Sequence, residues 1–118
     1  MSTTRPPQVR APELTCDCHF HIFGPYDRFP LDSGRAWIKL ASYRASSSWA
    51  PWTDVAPNVR ALASAAPERC VWGTDWPHPG MDPAPEAGVL FDQFMAWVPD
   101  AAVRQRILVD NPARLYGF

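Results

Sequence analysis

Short apolar stretches, separated by polar and proline-rich segments, predict three strands. The first is "LTCDCHFHIF", Leu14–Phe23, whose residues suit a buried pleated surface and which stops at Gly24-Pro25. "AWIKLASYR" predicts a second short strand, Ala36–Arg44, and the apolar run "CVWGTD" predicts a third, Cys70–Asp75. Between the first two strands, residues 23–35 predict a long irregular connection.

Apolar residues at helical spacing predict helices between and after these strands. The first begins at Thr53 or Asp54 and ends at Pro67. Asp100 predicts the N-cap of a third helix, and Asn111-Pro112 predicts the start of a last short turn. The apolar faces comprise Val55, Val59, Leu62 and Ala66 in the first helix, Leu90, Phe94 and Trp97 in the second, and Val103 and Ile107 in the third. Strands that alternate with helices predict an α/β protein with a parallel sheet.

Composition narrows the class of protein. A chain of 118 residues predicts one domain, and 11 basic against 12 acidic side chains argue against a nucleic-acid partner. We find no apolar run near the roughly 20 residues that span a membrane. Residues 1–13 are polar and proline-rich, which predicts a flexible N-terminal arm without a signal peptide. Three cysteines indicate no disulfide framework, so the chain is expected in the cytoplasm.

The first predicted strand carries the densest set of reactive side chains. Because side chains alternate along a strand, His19 and His21 share a face with Asp17, whereas Cys16 and Cys18 point the other way. One zinc ion held by both cysteines and both histidines is therefore rejected. On spacing alone, the histidines are as well explained as buried core residues as they are as a functional pair.

Other candidates follow the second and third strands. Asp75 lies at the carboxyl end of the third strand, where parallel α/β folds place their sites, although it could simply cap the next loop. His78 is expected to pack within that loop. Arg44 and the serines Ser46–Ser48 could bind an anion, but without further context ordinary loop polarity is the favoured explanation.

Four fragments in order resemble one family. "CDCHFHIFGP", "WIKLASYRAS", "APERCVWGTDWPHP" and "DNPARLYGF" are similar to amidohydrolase-related hydrolases of the amidohydrolase superfamily, and most similar to the subgroup containing 2-pyrone-4,6-dicarboxylate lactonase. The resemblance implies a (β/α)₈ TIM barrel, which typically needs about 250 residues. Residues 14–118 resemble the first, seventh and eighth strands, with the helices that follow the seventh and eighth, as a partial barrel with an internal deletion near residues 31–35.

The resemblance also implies roles for individual residues. His19 and His21 match the family's H-x-H pair, and Asp75 matches the aspartate that activates water. These three side chains are therefore expected to converge on one side of the sheet. Arg44, with Tyr43 and Ser46, is implied to bind a small-molecule carboxylate substrate. Where family members hold a divalent metal such as zinc, its ligands would be His19, His21 and Asp75, whereas the lactonase subgroup is associated with metal-independent hydrolysis.

Three functional hypotheses follow. The first is a hydrolase acting on a lactone, ester or amide of a small carboxylic acid. The second is a non-catalytic truncated remnant that binds metal weakly or associates with another chain, and the third is a small structural module. The resemblance implies that strands two to six of the barrel are missing, so the face with His19, Trp72 and Trp76 is expected to be exposed and to promote self-association. Asp75 is expected to be solvated, with hydrolysis by the isolated chain near background.

Overall fold

A computed structural model of the chain describes residues 5–17 and 37–118. Within them, two short strands, β1 (Ile38–Leu40) and β2 (Cys70–Trp72), form a parallel pair. Ile38 pairs with Cys70 and Leu40 with Trp72. This parallel pair agrees with the parallel sheet that the alternation of strands and helices predicts.

The strands are shorter than the sequence predicts. Leu14 lies in an exposed turn with a φ of 64°, so the predicted first strand does not begin there. The rest of that strand from Cys18, and the connection through residue 35, lie outside the described residues. β2 ends at Trp72, and Asp75 belongs to the loop that follows it.

Helices follow each strand in the order that the pattern predicts. Their bounds are α1 Ala56–Ala65, α2 Ala87–Trp97, α3 Ala101–Gln105 and α4 Asn111–Tyr116. Short 3-10 turns, Thr53–Val55 and Pro67–Arg69, flank α1. Asp100 caps α3 as predicted, because its carboxylate accepts hydrogen bonds from the backbone of Ala102 and Val103.

The beginning of α1 differs from the prediction. Neither Thr53 nor Asp54 caps it with a side chain. The Asp54 carboxylate instead accepts hydrogen bonds from Ser46–Ser48, which draws it away from the helix backbone. Val55 and Val59 are buried, so this part of the predicted apolar face is confirmed.

A helical layer covers one side of the strand pair. Leu90, Phe94 and Trp97 of α2 are buried, as the stripe predicts. Trp72 is only 4% exposed because its ring packs 5.3 Å from Phe91 and 5.6 Å from Phe94, centroid to centroid. The prediction that Trp72 lies on an exposed face is therefore wrong.

The last helices are continuous, which corrects the predicted cap at Asn111. A widened π turn, Arg106–Asp110, joins α3 to α4, and Asn111 already has helical backbone angles. Pro112 has no N–H to donate to the carbonyl of Leu108, four residues earlier. That carbonyl instead accepts a hydrogen bond of 2.8 Å from the backbone N–H of Cys16. The proline thus provides an attachment point for the N-terminal segment.

The N-terminal segment also contacts α2. The Asp92 carboxylate accepts hydrogen bonds from the Arg5 side chain, at 2.8 Å, and from the backbone N–H groups of Gln8 and Val9. These contacts hold part of the predicted arm, residues 1–13, against the helix. Among the helices of residues 5–17 and 37–118, none is long and apolar enough to cross a membrane.

Candidate functional site

Asp75 occupies a tight turn directly after β2. Its φ is 66°, in the left-handed region that aspartate adopts more readily than most residues. The backbone N–H of His78 donates to the carbonyl oxygen of Asp75 at 2.8 Å and closes the turn. Asp75 is fully buried, at 0% exposure, so the prediction that water surrounds its carboxylate is wrong.

Two cations and one hydroxyl surround the Asp75 carboxylate. Lys39 Nζ lies 2.8 Å from Oδ1, and Arg44 Nε lies 2.6 Å from Oδ2. The Tyr43 hydroxyl donates to Oδ2 at 2.9 Å. Burial alone would raise the pKa of Asp75, but hydrogen bonds from these three groups outweigh burial. The pKa of Asp75 therefore lies well below its ordinary value, and the carboxylate is ionised at neutral pH.

β1 and the bend after it supply all three partners. Lys39 extends from the middle of β1, between Ile38 and the buried Leu40, and its side chain is only 10% exposed. Arg44 is more accessible, with 42% of its side chain exposed. Its second contact is a hydrogen bond to the backbone carbonyl of Pro79, at 2.8 Å. The parallel pairing of β1 with β2 thus brings the cations and the carboxylate to the same end of the sheet.

Tyr43 links Asp75 to His78. Its ring is 6% exposed, and its hydroxyl oxygen lies 3.0 Å from Nδ1 of His78. The Tyr43 ring also contacts Trp52, and the Arg44 guanidinium lies 5.0 Å above its centroid. Burial, reinforced by the hydrogen bond to Asp75, raises the pKa of Tyr43 to about 12. His78 does pack within its loop, and in doing so it joins the hydrogen-bond network of the site.

The segment preceding the H-x-H pair ends beside this turn. Asp17 accepts two hydrogen bonds from Thr74, one from its backbone N–H at 2.7 Å and one from its hydroxyl at 2.6 Å. Asp17 is therefore next to the residue that precedes Asp75. His19 and His21 lie outside the described residues, so their convergence with Asp75 stays a prediction.

Ser46 lies farther along the loop after β1. Its hydroxyl donates to Asp54 Oδ1 at 2.6 Å and lies 3.2 Å from the Ser48 hydroxyl. Hydrogen bonds from Ser46, Ser48 and the backbone of Ser47 lower the pKa of Asp54 to about 2. These contacts organise the loop, and a substrate contact of Ser46 stays a prediction.

The described residues do not fit a divalent metal ion at Asp75. Two cationic side chains already contact its oxygens, and they would repel a third positive charge. Within residues 5–17 and 37–118, no cluster of three histidine, cysteine, aspartate or glutamate side chains has a metal-binding arrangement.

Sequence reasoning missed the roles of Lys39 and Thr74. Lys39 is the only lysine of the chain, and it stands between two apolar residues in a predicted strand. A cation at such a position requires a buried partner, which was the available signal. Thr74 carried no comparable signal because its partner, Asp17, is 57 residues away.

The fold is that of an α/β protein with a parallel strand pair, and comparisons with known proteins specify its family. The sequence model of the Amidohydrolase family matches residues 30–118. The chain belongs to this family. It is 49% identical over 85 residues to a 4-sulfomuconolactone hydrolase of Rhizobium radiobacter, which covers 69% of this chain and 28% of the relative.

Other relatives agree with this placement. A D-galactarolactone isomerase of Agrobacterium fabrum is 43% identical over 91 residues, which are 73% of this chain and 31% of the relative. A 2-pyrone-4,6-dicarboxylate hydrolase of Comamonas testosteroni is 33% identical over 115 residues, which are 89% of this chain and 38% of the relative. The chain thus spans between about a quarter and two fifths of the length of the relatives that it matches.

A solved structure has a similar fold. The crystal structure of the Agrobacterium tumefaciens protein ATU3138, in its apo form, superposes with a TM-score of 0.65 at 39% identity. The match covers 80% of this chain and 36% of that protein. These matches confirm the resemblance to lactonase-like amidohydrolases that the four sequence fragments indicate.

Proposed function

We propose that this chain carries part of the active site of a hydrolase that opens a lactone, or cleaves an ester or amide, of a small carboxylic acid. In this proposal the two described strands correspond to neighbouring strands of a partial (β/α)₈ barrel. The observation that carries it is the pairing of a buried carboxylate, Asp75, with a partly exposed guanidinium, Arg44.

Arg44 provides a receptor for the substrate carboxylate. Its planar guanidinium suits bidentate binding of a carboxylate, and its exposure makes it accessible from solvent. A bound substrate carboxylate would compete with Asp75 for Arg44. The attacking water would then replace Arg44 as a hydrogen-bond donor to Oδ2 of Asp75, while Lys39 and Tyr43 keep the carboxylate in place.

The chemical step uses Asp75 as general base. Water donates a proton to Asp75 as the water oxygen bonds to the carbonyl carbon, and the ring C–O bond then breaks as the leaving oxygen takes that proton from Asp75. His19 and His21 are proposed to polarise the carbonyl from the neighbouring segment. Two relatives are named as hydrolases of a sulfomuconolactone and a pyrone dicarboxylate, which supports an anionic lactone as substrate.

A hydrolysis assay with matched variants tests the proposal. The expectation of hydrolysis near background rests on a solvated Asp75, but Asp75 is buried. We therefore expect the wild-type chain to open a carboxylate-bearing lactone faster than buffer alone, and Asp75→Asn to reduce that rate at least a hundredfold. Asp92→Asn is the control, because Asp92 contacts the N-terminal segment instead of the site. An equal rate for wild type and Asp75→Asn would contradict the proposal.

A specific observation favours the second candidate, a non-catalytic remnant. Both oxygens of Asp75 are already engaged by cations, so the unliganded carboxylate resembles a structural ion pair. If the same lactone binds, measured by calorimetry, and Arg44→Gln abolishes binding while no hydrolysis occurs, the chain is a binding remnant. Turnover that depends on Asp75 excludes it.

A further inference from the structure

The Tyr43 hydroxyl has two partners that a substrate contact does not explain. It lies 2.9 Å from Oδ2 of Asp75 and 3.0 Å from Nδ1 of His78. All three side chains are buried, with exposures of 6% or less. A phenol hydroxyl has one proton to donate, and its oxygen can accept a hydrogen bond. It can therefore donate to one of these two partners and accept from the other.

The chemistry of the partners sets the direction of each hydrogen bond. An ionised carboxylate only accepts, so the Tyr43 proton points toward Asp75, whose backbone carbonyl lies 3.5 Å from the same hydroxyl. The phenol oxygen is then the acceptor toward His78, and Nδ1 must carry a proton. Burial lowers the pKa of His78, so the ring is neutral near pH 7 and its Nε2 is unprotonated.

We propose that Tyr43 is a positioning residue for Asp75, and that His78 fixes its orientation through the chain His78 Nδ1–H to Tyr43 O–H to Asp75 Oδ2. This deepens the proposed function and rests on it for the catalytic consequence. It also reassigns Tyr43, because a hydroxyl whose proton and facing lone pair are both engaged has little to offer a substrate.

The hydrogen bonds from His78 through Tyr43 to Asp75 hold the carboxylate in a different way from the two cations. Lys39 holds Oδ1, whereas Tyr43 and Arg44 share Oδ2. Arg44 is the exposed partner that a substrate carboxylate can reach. When Arg44 turns to the substrate, the buried Tyr43 still holds the orientation of the Asp75 carboxylate.

The protonation state of His78 tests the proposed hydrogen bonds from His78 through Tyr43 to Asp75 without an activity measurement. Histidine ring nitrogens of the ¹⁵N-labelled full chain are recorded by long-range correlation NMR near pH 7. We expect His78 to show a protonated Nδ1 and an unprotonated Nε2. Tyr43→Phe, which retains the ring, is expected to remove this preference. His78→Asn identifies the signal by its loss.

Two results would overturn the inference. One is a wild-type His78 protonated on Nε2 alone, because such a ring cannot donate from Nδ1 to Tyr43. The other is a His78 signal that does not change in Tyr43→Phe, because something other than Tyr43 would then set the tautomer.

Kinetics with a matched pair at position 78 tests the catalytic consequence. Asparagine tolerates the left-handed φ of 59° and retains a donor near Nδ1, whereas aspartate has the same shape and only accepts. We expect Tyr43→Phe and His78→Asp to lower kcat about tenfold with little change in KM, and His78→Asn to retain most of kcat. Equal loss in both position-78 variants, with unfolding midpoints unchanged, would contradict positioning. The expected tautomer without any wild-type hydrolysis would instead support the contact and reject the proposed function.

Discussion

At the scale of single residues, the site is a buried carboxylate held by oppositely charged neighbours. Lys39 and Asp75 are both nearly inaccessible to water, so neither charge is well hydrated. Burying such a pair is favourable only when each charge keeps its partner. The pair therefore couples the stability of the β1–β2 unit to the organisation of the site.

Lys39→Met tests this coupling. The substitution retains an apolar side chain of similar length but leaves Oδ1 of Asp75 without its cation, while Arg44 still contacts Oδ2. We expect the free energy of unfolding to fall by about 3 kcal/mol, measured by urea denaturation. Arg60→Met on the exposed side of α1 is the control and should change little. An unchanged midpoint in Lys39→Met would show that the ion pair does not contribute to stability.

Some of these site residues could be predicted from the sequence, and one could not. Asp75, Arg44 and Tyr43 could be singled out because their motifs are short and local. Lys39 could not be assigned to Asp75, since the two are 36 positions apart in the sequence and only the parallel pairing of β1 with β2 brings them together.

At the scale of elements, one proline and one glycine determine how the N-terminal segment packs against the helices. Because Pro112 has no N–H, the Leu108 carbonyl accepts a hydrogen bond from Cys16 instead. Gly88 has no side chain, which allows the N-terminal segment to pass close to α2. A Cβ on Gly88 would lie 2.9 Å from the carbonyl carbon of Pro6 and 2.9 Å from the nitrogen of Pro7, closer than real side chains approach backbone.

Gly88→Ala is therefore expected to displace residues 5–9 from α2, even though alanine favours the helix itself. Trypsin should then cleave after Arg10 several-fold faster than in the wild type, because the detached segment fits a protease more readily. Ala96→Ser, at an exposed position of the same helix, is the control. An unchanged cleavage rate in Gly88→Ala would show that the crossing does not protect the segment.

At the scale of the whole molecule, large apolar side chains remain exposed. In the part of the chain that the structure describes, Trp49 is 92% and Trp76 is 69% exposed. Trp76 directly follows Asp75, so its exposed side chain adjoins the candidate site. Exposed apolar surface of this kind commonly marks association.

We expect the chain to self-associate, with a weight-average sedimentation coefficient that rises with concentration. Replacing Trp49 and Trp76 together by serine should reduce this rise, because the apolar area available for contact is removed. Phe118→Ser, which removes another exposed ring at the C-terminus, is the control. A wild-type coefficient that does not depend on concentration would contradict the expectation.

The amino-acid sequence was sufficient to predict the family, the order of the described strands and helices, and the candidate residues, because these depend on local spacing and short motifs. The apolar stripe of α2 and the cap at Asp100 needed nothing beyond neighbouring residues. Tertiary structure alone decided that Asp75 is buried and ion-paired, that Trp72 packs under α2, and that Asn111 bonds to the carbonyls of Pro67 and Cys70 instead of capping a helix. Those outcomes depend on contacts between residues that are far apart in the chain, and no local pattern specifies which distant partner a polar or aromatic side chain will meet.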